Sequence, residues 1–367
     1  MIYSKPPAGG FLYIQAQFGV SFLLDGGMNM KRITAAWLIA ALILLGGCAS
    51  RSGKRDDPAL PEPDATPRAE AKASPGKAAA DLIPARLERN ARGVPVLKVY
   101  DTGNESIEEM SVEDYLPAVL AGEMAGDWPL EALKAQAILA RTFVMQFVTQ
   151  KKSMYEGADI STDIKEAQAY DASGVNARIR QAVSETRGLV LNAGGELPYA
   201  WFHAHSGGLT ARAKEGLDYE KAEPAYTQCV KGMENDEAPA EAAHWEAVFT
   251  PEEVLAAAKD AGASAGELTG IEIGQRGESG RAMTLLVSGK EVSAPAFRLA
   301  IGSTKMRSCL IESLRMEDGQ VVIAGRGYGH GVGMSQWGAY AMAQDGKTAE
   351  EIVLHYFTGV TLDQAWE

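Results

Sequence analysis

The chain has 367 residues, 46% of them hydrophobic, enough to bury a sizeable core in one large domain or two ordinary ones. Its net charge is −13, so it lacks the sheath of Lys and Arg that phosphate neutralisation requires, and nucleic acid is excluded as a partner. Three Cys without a Cys-x-x-Cys pair leave no zinc ribbon and no thioredoxin-like site.

The first informative stretch begins at Met28. Lys31 and Arg32 precede a short apolar run from Thr34 to Leu45, the layout of a secretory signal and too short to span a bilayer. The run ends at Leu45-Gly46-Gly47-Cys48, which resembles the bacterial lipobox, whose Cys is acylated and becomes the mature N-terminus. Residues 1–27 have no place in such a signal, so the expected start is Met28 or Met30, with residues 1–47 removed. Ser50, two residues after Cys48, resembles the signal for outer-membrane sorting. That predicts a lipid-anchored protein of the cell envelope, on the outer membrane and facing the periplasm. Residues 48–84 are rich in Pro, Ala, Lys, Asp and Glu and carry no aromatic side chain, the composition of a flexible tether. The globular part is expected over 85–367.

A first strand is expected at Val94–Tyr100. Ser111 and Asp114 have the spacing of a capping box for a helix to Met124. At about 100° per residue, Tyr115, Leu116, Val119 and Leu120 form one apolar stripe, and Glu123 falls inside it. Desolvation there raises a carboxyl pKa, which suits a general acid. A buried Glu in a structural ion pair fits the same pattern. Asp127-Trp128-Pro129 marks the start of a second helix, running to about Thr149. Lys134 and Arg141, two turns apart, lie at the edge of its apolar face. They face the cleft of Glu123, or they are ordinary snorkelling cations.

Further strands are expected at Leu189–Leu191 and Leu197–Phe202. The second leads into His203 and His205, which would share one face; as two ligands without a fitting carboxylate they make a weak metal site. Residues 250–300 read as a helix from Pro251 followed by strands, including Met283–Val287, in an inserted lobe. After a strand at Val321–Ala324, Gly occupies every second position from Gly325 to Gly333, with His330 among them. In an extended chain that strips one face of side chains, for a ligand or for a tight strand crossing. Ser335 caps a helix through Met342 with Gly346 at its end, and Thr348 with Glu351 caps the last helix, to Tyr356. Cys229 and Cys309 lie in the exported part, where an oxidising compartment permits a disulfide; two unpaired buried thiols are the alternative.

Three separated segments together resemble the stage II sporulation protein D / LytB family, over about Val94 to Leu362. The first is Glu123-Met124, then Trp128-Pro129-Leu130-Glu131-Ala132-Leu133-Lys134-Ala135-Gln136-Ala137 and Ala140-Arg141-Thr142. The second is Phe202-His203 with Ser206-Gly207-Gly208 and Thr210. The third is Gly329-His330-Gly331-Val332-Gly333-Met334-Ser335-Gln336 with Gly338-Ala339, and His355-Tyr356-Phe357-Thr358-Gly359 resembles the family's closing pattern.

The resemblance implies a peptidoglycan lytic transglycosylase. Such an enzyme cleaves glycan strands stripped of their stem peptides between N-acetylmuramic acid and N-acetylglucosamine, leaving a 1,6-anhydro end. The family's catalytic acid falls on Glu123. Substrate-binding positions fall on Lys134, Gln136, Arg141, His203, Ser206, His330, Ser335 and Gln336. Some relatives hold zinc through Cys and His in the loop that corresponds to Lys151–Tyr170, but this loop has neither residue, so neither metal nor cofactor is expected. LytB-like members are described as enhancers of cell-wall amidases, which gives a second reading: a glycan-binding lipoprotein with an amidase as partner. The expected fold is α+β, the helical pair around Glu123 packed on β-rich segments.

Overall fold

The computed structural model describes residues 79–367. Cys48, the signal segment and most of the tether lie outside the described residues. A 3-10 turn at Ala79–Leu82 leads in, and Leu82 and Ile83 are already buried in the main core, so packing starts a few residues before Ala85.

Strand β1 (Val96–Asp101) and strand β2 (Ser106–Ser111) form an antiparallel hairpin with Val96 opposite Ser111. Helix α1 (Val112–Glu123) follows without a break, because Ser111 caps it: its hydroxyl accepts from Asp114 N and donates to Asp114 Oδ2. Helix α2 (Leu130–Gln150) begins directly after Pro129. Strand β3 (Ile160–Ser161) pairs parallel with β1. Helix α3 (Ala177–Glu185) and strand β4 (Leu189–Asn192) come next, then the two-residue strand β5 (Phe202–His203). The strand expected from Leu197 is thus almost absent. Pro198 has no N–H to offer a ladder, and Tyr199 N bonds the Tyr226 hydroxyl instead.

The short helices α4 (Ala213–Leu217) and α5 (Ala240–Ala243) precede strand β6 (His244–Phe249). Helix α6 (Pro251–Asp260) has a complete capping box between Thr250 and Glu253, with Pro251 at its first position. Strands β7 (Ile271–Ile273), β8 (Thr284–Val287) and β9 (Lys290–Ser293) form an antiparallel meander and run into helix α7 (Ala294–Ile301). Strands β10 (Ile311–Glu317) and β11 (Gln320–Arg326) form a hairpin, and β6 pairs with β11 to give the order β10-β11-β6.

The chain then reaches strand β12 (Met334–Ser335), helix α8 (Gln336–Gln344), helix α9 (Ala349–Tyr356) and strand β13 (Thr361–Gln364). Gly346 sits just past the end of α8 at φ +81°, and Thr348 and Glu351 make the expected reciprocal capping box. β12 lies parallel to β5, and β13 antiparallel to β4.

Two large apolar clusters form among the described residues, beside a small one of Trp201, Ala211, Ala213, Leu217 and Val332. The larger surrounds α2, which is buried from Ala132 to Val148 except for Lys134 and packs on α1, α3, α8, α9 and β4. The other joins Trp245, Phe249, Val254, Leu285, Phe297 and Ile323, all from segments between β6 and β11.

Candidate active site around Glu123

Glu123 is the last residue of α1, on the stripe formed by Tyr115, Leu116, Val119 and Leu120, all of them fully buried. The chain turns extended at Met124, so the helix stops with this carboxyl at its end. The segment around Ala169 crosses that end closely. A Cβ on Gly122 would lie 2.8 Å from the Ala169 carbonyl carbon, so only glycine permits the approach. Ala169 N donates to Glu123 Oε1 at 2.9 Å, and Asp171 N donates to Ala118 O at 2.8 Å.

The Glu123 side chain is half-buried and makes no ion pair among the described residues. Desolvation pushes its pKa from 4.5 up to about 7, against the pull of the Ala169 N–H. The ion-pair alternative for this residue therefore falls. A carboxyl with partial access to solvent, protonated up to neutrality and holding one backbone donor, is equipped to give up a proton.

Gln336 reaches the same place from the far end of the sequence. Its Nε2 donates to the Glu123 carbonyl oxygen at 3.2 Å. It is the first residue of α8, whose cap is Ser335, which accepts from Gly338 N at 3.2 Å. Trp337 packs against Trp128 with ring centroids 4.6 Å apart, and Tyr340 lies 5.0 Å from Trp128. The β5–β12 pair sets Ser335 opposite His203, so all three motifs converge.

His203 and His330 lie together, with ring centroids 5.7 Å apart. His203 Nδ1 pairs with Val332 O at 3.2 Å, and Val332 N donates to His330 Nδ1 at 3.0 Å. Both are buried and neutral: burial first, then the charges of Arg298 and Arg281, push His330 down to about 3. Burial and then the His330 ring lower His203 as well. His205 does not act with His203. Its Nδ1 accepts from Gly207 N at 3.0 Å and lies 3.9 Å from Glu234 Oε1.

Several expected contacts lie elsewhere. Arg141 is fully buried and grips Glu113 in a fork, Nε to Oε1 at 3.0 Å and Nη2 to Oε2 at 2.8 Å, with Val183 O and Leu189 O taking its other protons. Lys134 pairs with Glu131 at 2.8 Å and with Glu185 of α3 at 3.3 Å. The two cations do share one edge of α2, but that edge faces α3 and not the carboxyl of Glu123. Gln136 is fully buried inside α2, out of reach of a polymer at the surface. Cys229 and Cys309 are both free thiols. Cys309 is buried in the second apolar cluster, and the Cys229 sulfur faces Glu215 Oε2 at 3.9 Å. The glycine-rich segment is not extended: Gly327, Gly329, Gly331 and Gly333 all take φ between +71° and +111°.

Two groups near the motifs gave no sequence signal. Arg281 is fully buried and donates to Ser206 O and Leu209 O. Glu234 stands in an acidic run, Glu234-Asn235-Asp236-Glu237, that reads as a solvated loop. A concavity of about 220 Å³ lined by Lys214, Asp218, Met283, Thr284, Glu291 and Ser293 contains no residue of the three motifs.

Comparison with known proteins points the same way. The SpoIID family model, described as a stage II sporulation protein, matches residues 100–192. The chain is 30% identical over 292 residues to stage II sporulation protein D of Bacillus amyloliquefaciens, covering 76% of this chain and 81% of that one. It is 29% identical over 285 residues to stage II sporulation protein D of Bacillus subtilis strain 168, covering 73% and 79%. It is 26% identical over 291 residues to an amidase enhancer of Bacillus subtilis strain 168, covering 67% of this chain and 40% of that one. The motif set and the extent of these matches establish that the chain belongs to the stage II sporulation protein D family.

Proposed function

We propose that this protein cleaves peptidoglycan glycan strands as a lytic transglycosylase, with Glu123 as its acid. One observation carries the reading: a carboxyl at a helix end, desolvated, free of any cation among the described residues, and held protonated to about 7. Protonated Glu123 gives its proton to the glycosidic oxygen between N-acetylmuramic acid and N-acetylglucosamine as that bond breaks. The muramic acid's own 6-hydroxyl attacks the anomeric carbon, and its proton passes to the Glu123 carboxylate. The acid is regenerated and the new end is 1,6-anhydro. No second carboxylate and no positioned water are needed, unlike the usual two-carboxylate glycosidase. Gln336, which touches the backbone of Glu123, and the Trp128–Trp337–Tyr340 cluster beside it support a sugar groove along the start of α8.

The same reading puts the protein in the cell envelope, with Cys48 as the lipidated residue that anchors it to the outer membrane. Among the described residues no helix is long and apolar enough to cross a membrane. An amidase enhancer among its relatives favours one other reading, a glycan-binding partner of a cell-wall amidase.

Incubation with denuded glycan strands, followed by mass spectrometry of the products, tests the reading. Glu123→Gln keeps shape and hydrogen bonding but has no acidic proton. The variant is expected to fold and bind strands while losing at least about 10²–10⁴-fold in anhydro product. A folded variant that cleaves as well as wild type removes Glu123 from the chemistry. A wild-type protein that binds strands, never cleaves them, and speeds stem-peptide release by an added amidase supports the enhancer reading instead.

A further inference from the structure

Glu234 is the one carboxylate of its acidic run that turns inward. Its side chain is 6% exposed. Oε1 accepts from Ser206 N at 2.6 Å and from the Ser335 hydroxyl at 2.6 Å. Ser206 and Ser335 belong to the second and third motifs, and both are fully buried. Ser206 is held from its other side, where its carbonyl takes a guanidinium N–H of Arg281. The Ser335 hydroxyl, while donating to Glu234, accepts from Gly338 N and so caps α8. The next residue, Gln336, donates to the Glu123 carbonyl. One carboxylate oxygen is therefore two side chains away from the end of the helix that carries the acid.

Burial by itself would raise the pKa of Glu234, but the charge of His205 whenever that ring is protonated, with the hydrogen bonds from Ser335 and Ser206, holds the group below the ordinary carboxylate range. His205, His203, Arg281 and Tyr356 all feel its charge. The His205 lone pair at Nδ1 is already taken by Gly207 N–H, so that nitrogen gives Glu234 no hydrogen. The two serine motifs supply the donors that an ionised carboxylate at this depth needs. An apolar side chain here would leave the Ser206 N–H and the Ser335 hydroxyl without this acceptor. Through Ser335 the carboxylate also connects to the start of α8, and from there to Glu123.

We propose that Glu234 is a positioning residue for Glu123: it fixes Ser335 and the start of α8, so that Gln336 holds the end of α1 in its reactive place. The proposal rests on the lytic reading for its kinetic consequences, but not for its structural one.

The test is a double-mutant cycle on the full chain, with Glu234→Gln, Gln336→Ala and the double variant, assayed on denuded strands. Glu234→Gln is expected to lower kcat by about tenfold with KM within about twofold, Gln336→Ala to lower kcat at least as much, and the double variant to be no worse than the worse single. A double loss equal to the product of the two singles, or a Glu234→Gln variant with wild-type kcat, overturns the proposal. Should Glu234→Gln fail to fold, Ser335→Ala removes the same contact while Ser206 N–H stays on the carboxylate, and the same cycle is run with it. A second readout needs no cleavage: carboxyl ¹³C NMR of Glu123, assigned by its loss in Glu123→Gln. Both single variants should move its titration midpoint down, as the end of α1 loosens and water enters. If wild type cleaves nothing, the lytic reading fails while this change in midpoint still decides the positioning role; an unmoved midpoint in Glu234→Gln ends it.

Discussion

At the scale of single residues, Glu123 ties stability to pH. Its folded pKa lies above the ordinary value of 4.5, at about 7, so the folded chain binds this proton more tightly than the unfolded one. The resulting stabilisation is complete below pH 4.5 and is lost as pH rises through about 7. Each tenfold gain in proton affinity is worth about 1.4 kcal/mol, which sets an upper limit of about 3.5 kcal/mol, lowered by the partial exposure of the carboxyl. Glu123→Gln should flatten the curve of unfolding free energy against pH between these two values, as measured by urea denaturation. Arg141 predicts a different signature. Arg141→Met leaves Glu113 8% exposed, with only Gly188 N and Trp366 Nε1 as hydrogen-bond donors among the described residues, at a cost of roughly 3–5 kcal/mol. Strand affinity per folded molecule should not change; a specific loss of binding in a stably folded variant would put Arg141 back at the substrate. The position of Glu123 was legible because helical period places every stripe residue. The fate of Arg141 was not, because a seven-residue spacing gives the edge of a helix and says nothing about which neighbour covers it.

Elements show the same division. Caps are local chemistry, so Ser111, Ser335 and Thr348 mark helix starts in the sequence and in the fold alike. Two-residue strands such as β5 and β12 have no periodicity to read. The alternating glycines mimic a strand while the chain in fact winds through left-handed turns. Gly333 illustrates what those turns require. It has φ +71°, and a Cβ would lie 2.0 Å from the Trp201 carbonyl oxygen, just where β12 meets β5. Gly346 has a similar φ of +81° with open space around it. Gly346→Ala should therefore cost only the left-handed strain of about 1–2 kcal/mol. Gly333→Ala should cost more than that and open the β5–β12 pair, which thermal unfolding of the two variants side by side would show. Equal melting points would mean that strain alone governs both sites.

For the molecule as a whole, the second apolar cluster follows from the segments from β6 to β11, which the sequence marks only by a helix start at Pro251 and the strands at Met283–Val287 and Val321–Ala324. Its remaining strands, β6, β7, β9 and β10, are short or half-polar and carry no clear alternation. The contacts around Glu123 are of another kind: they are long-range. Gln336 meets Glu123 across 213 residues of chain, and Ser335 meets Glu234 across 101. Closing such loops costs chain entropy before any contact offsets it, so these contacts form slowly and late. In stopped-flow refolding, helix signal from α1 and α2 should precede the Trp128–Trp337 contact, and cleavage should return only with the latter. Recovery of cleavage with the first helical phase would contradict this order. The parallel pairing of β5 with β12 cannot form until the chain through Ser335 has been made. Glu123 leaves the ribosome early, but a chain that ends before Met334 has no α8 and no Gln336, so on the proposed reading an unfinished or clipped molecule would carry the carboxyl without the groups that surround it.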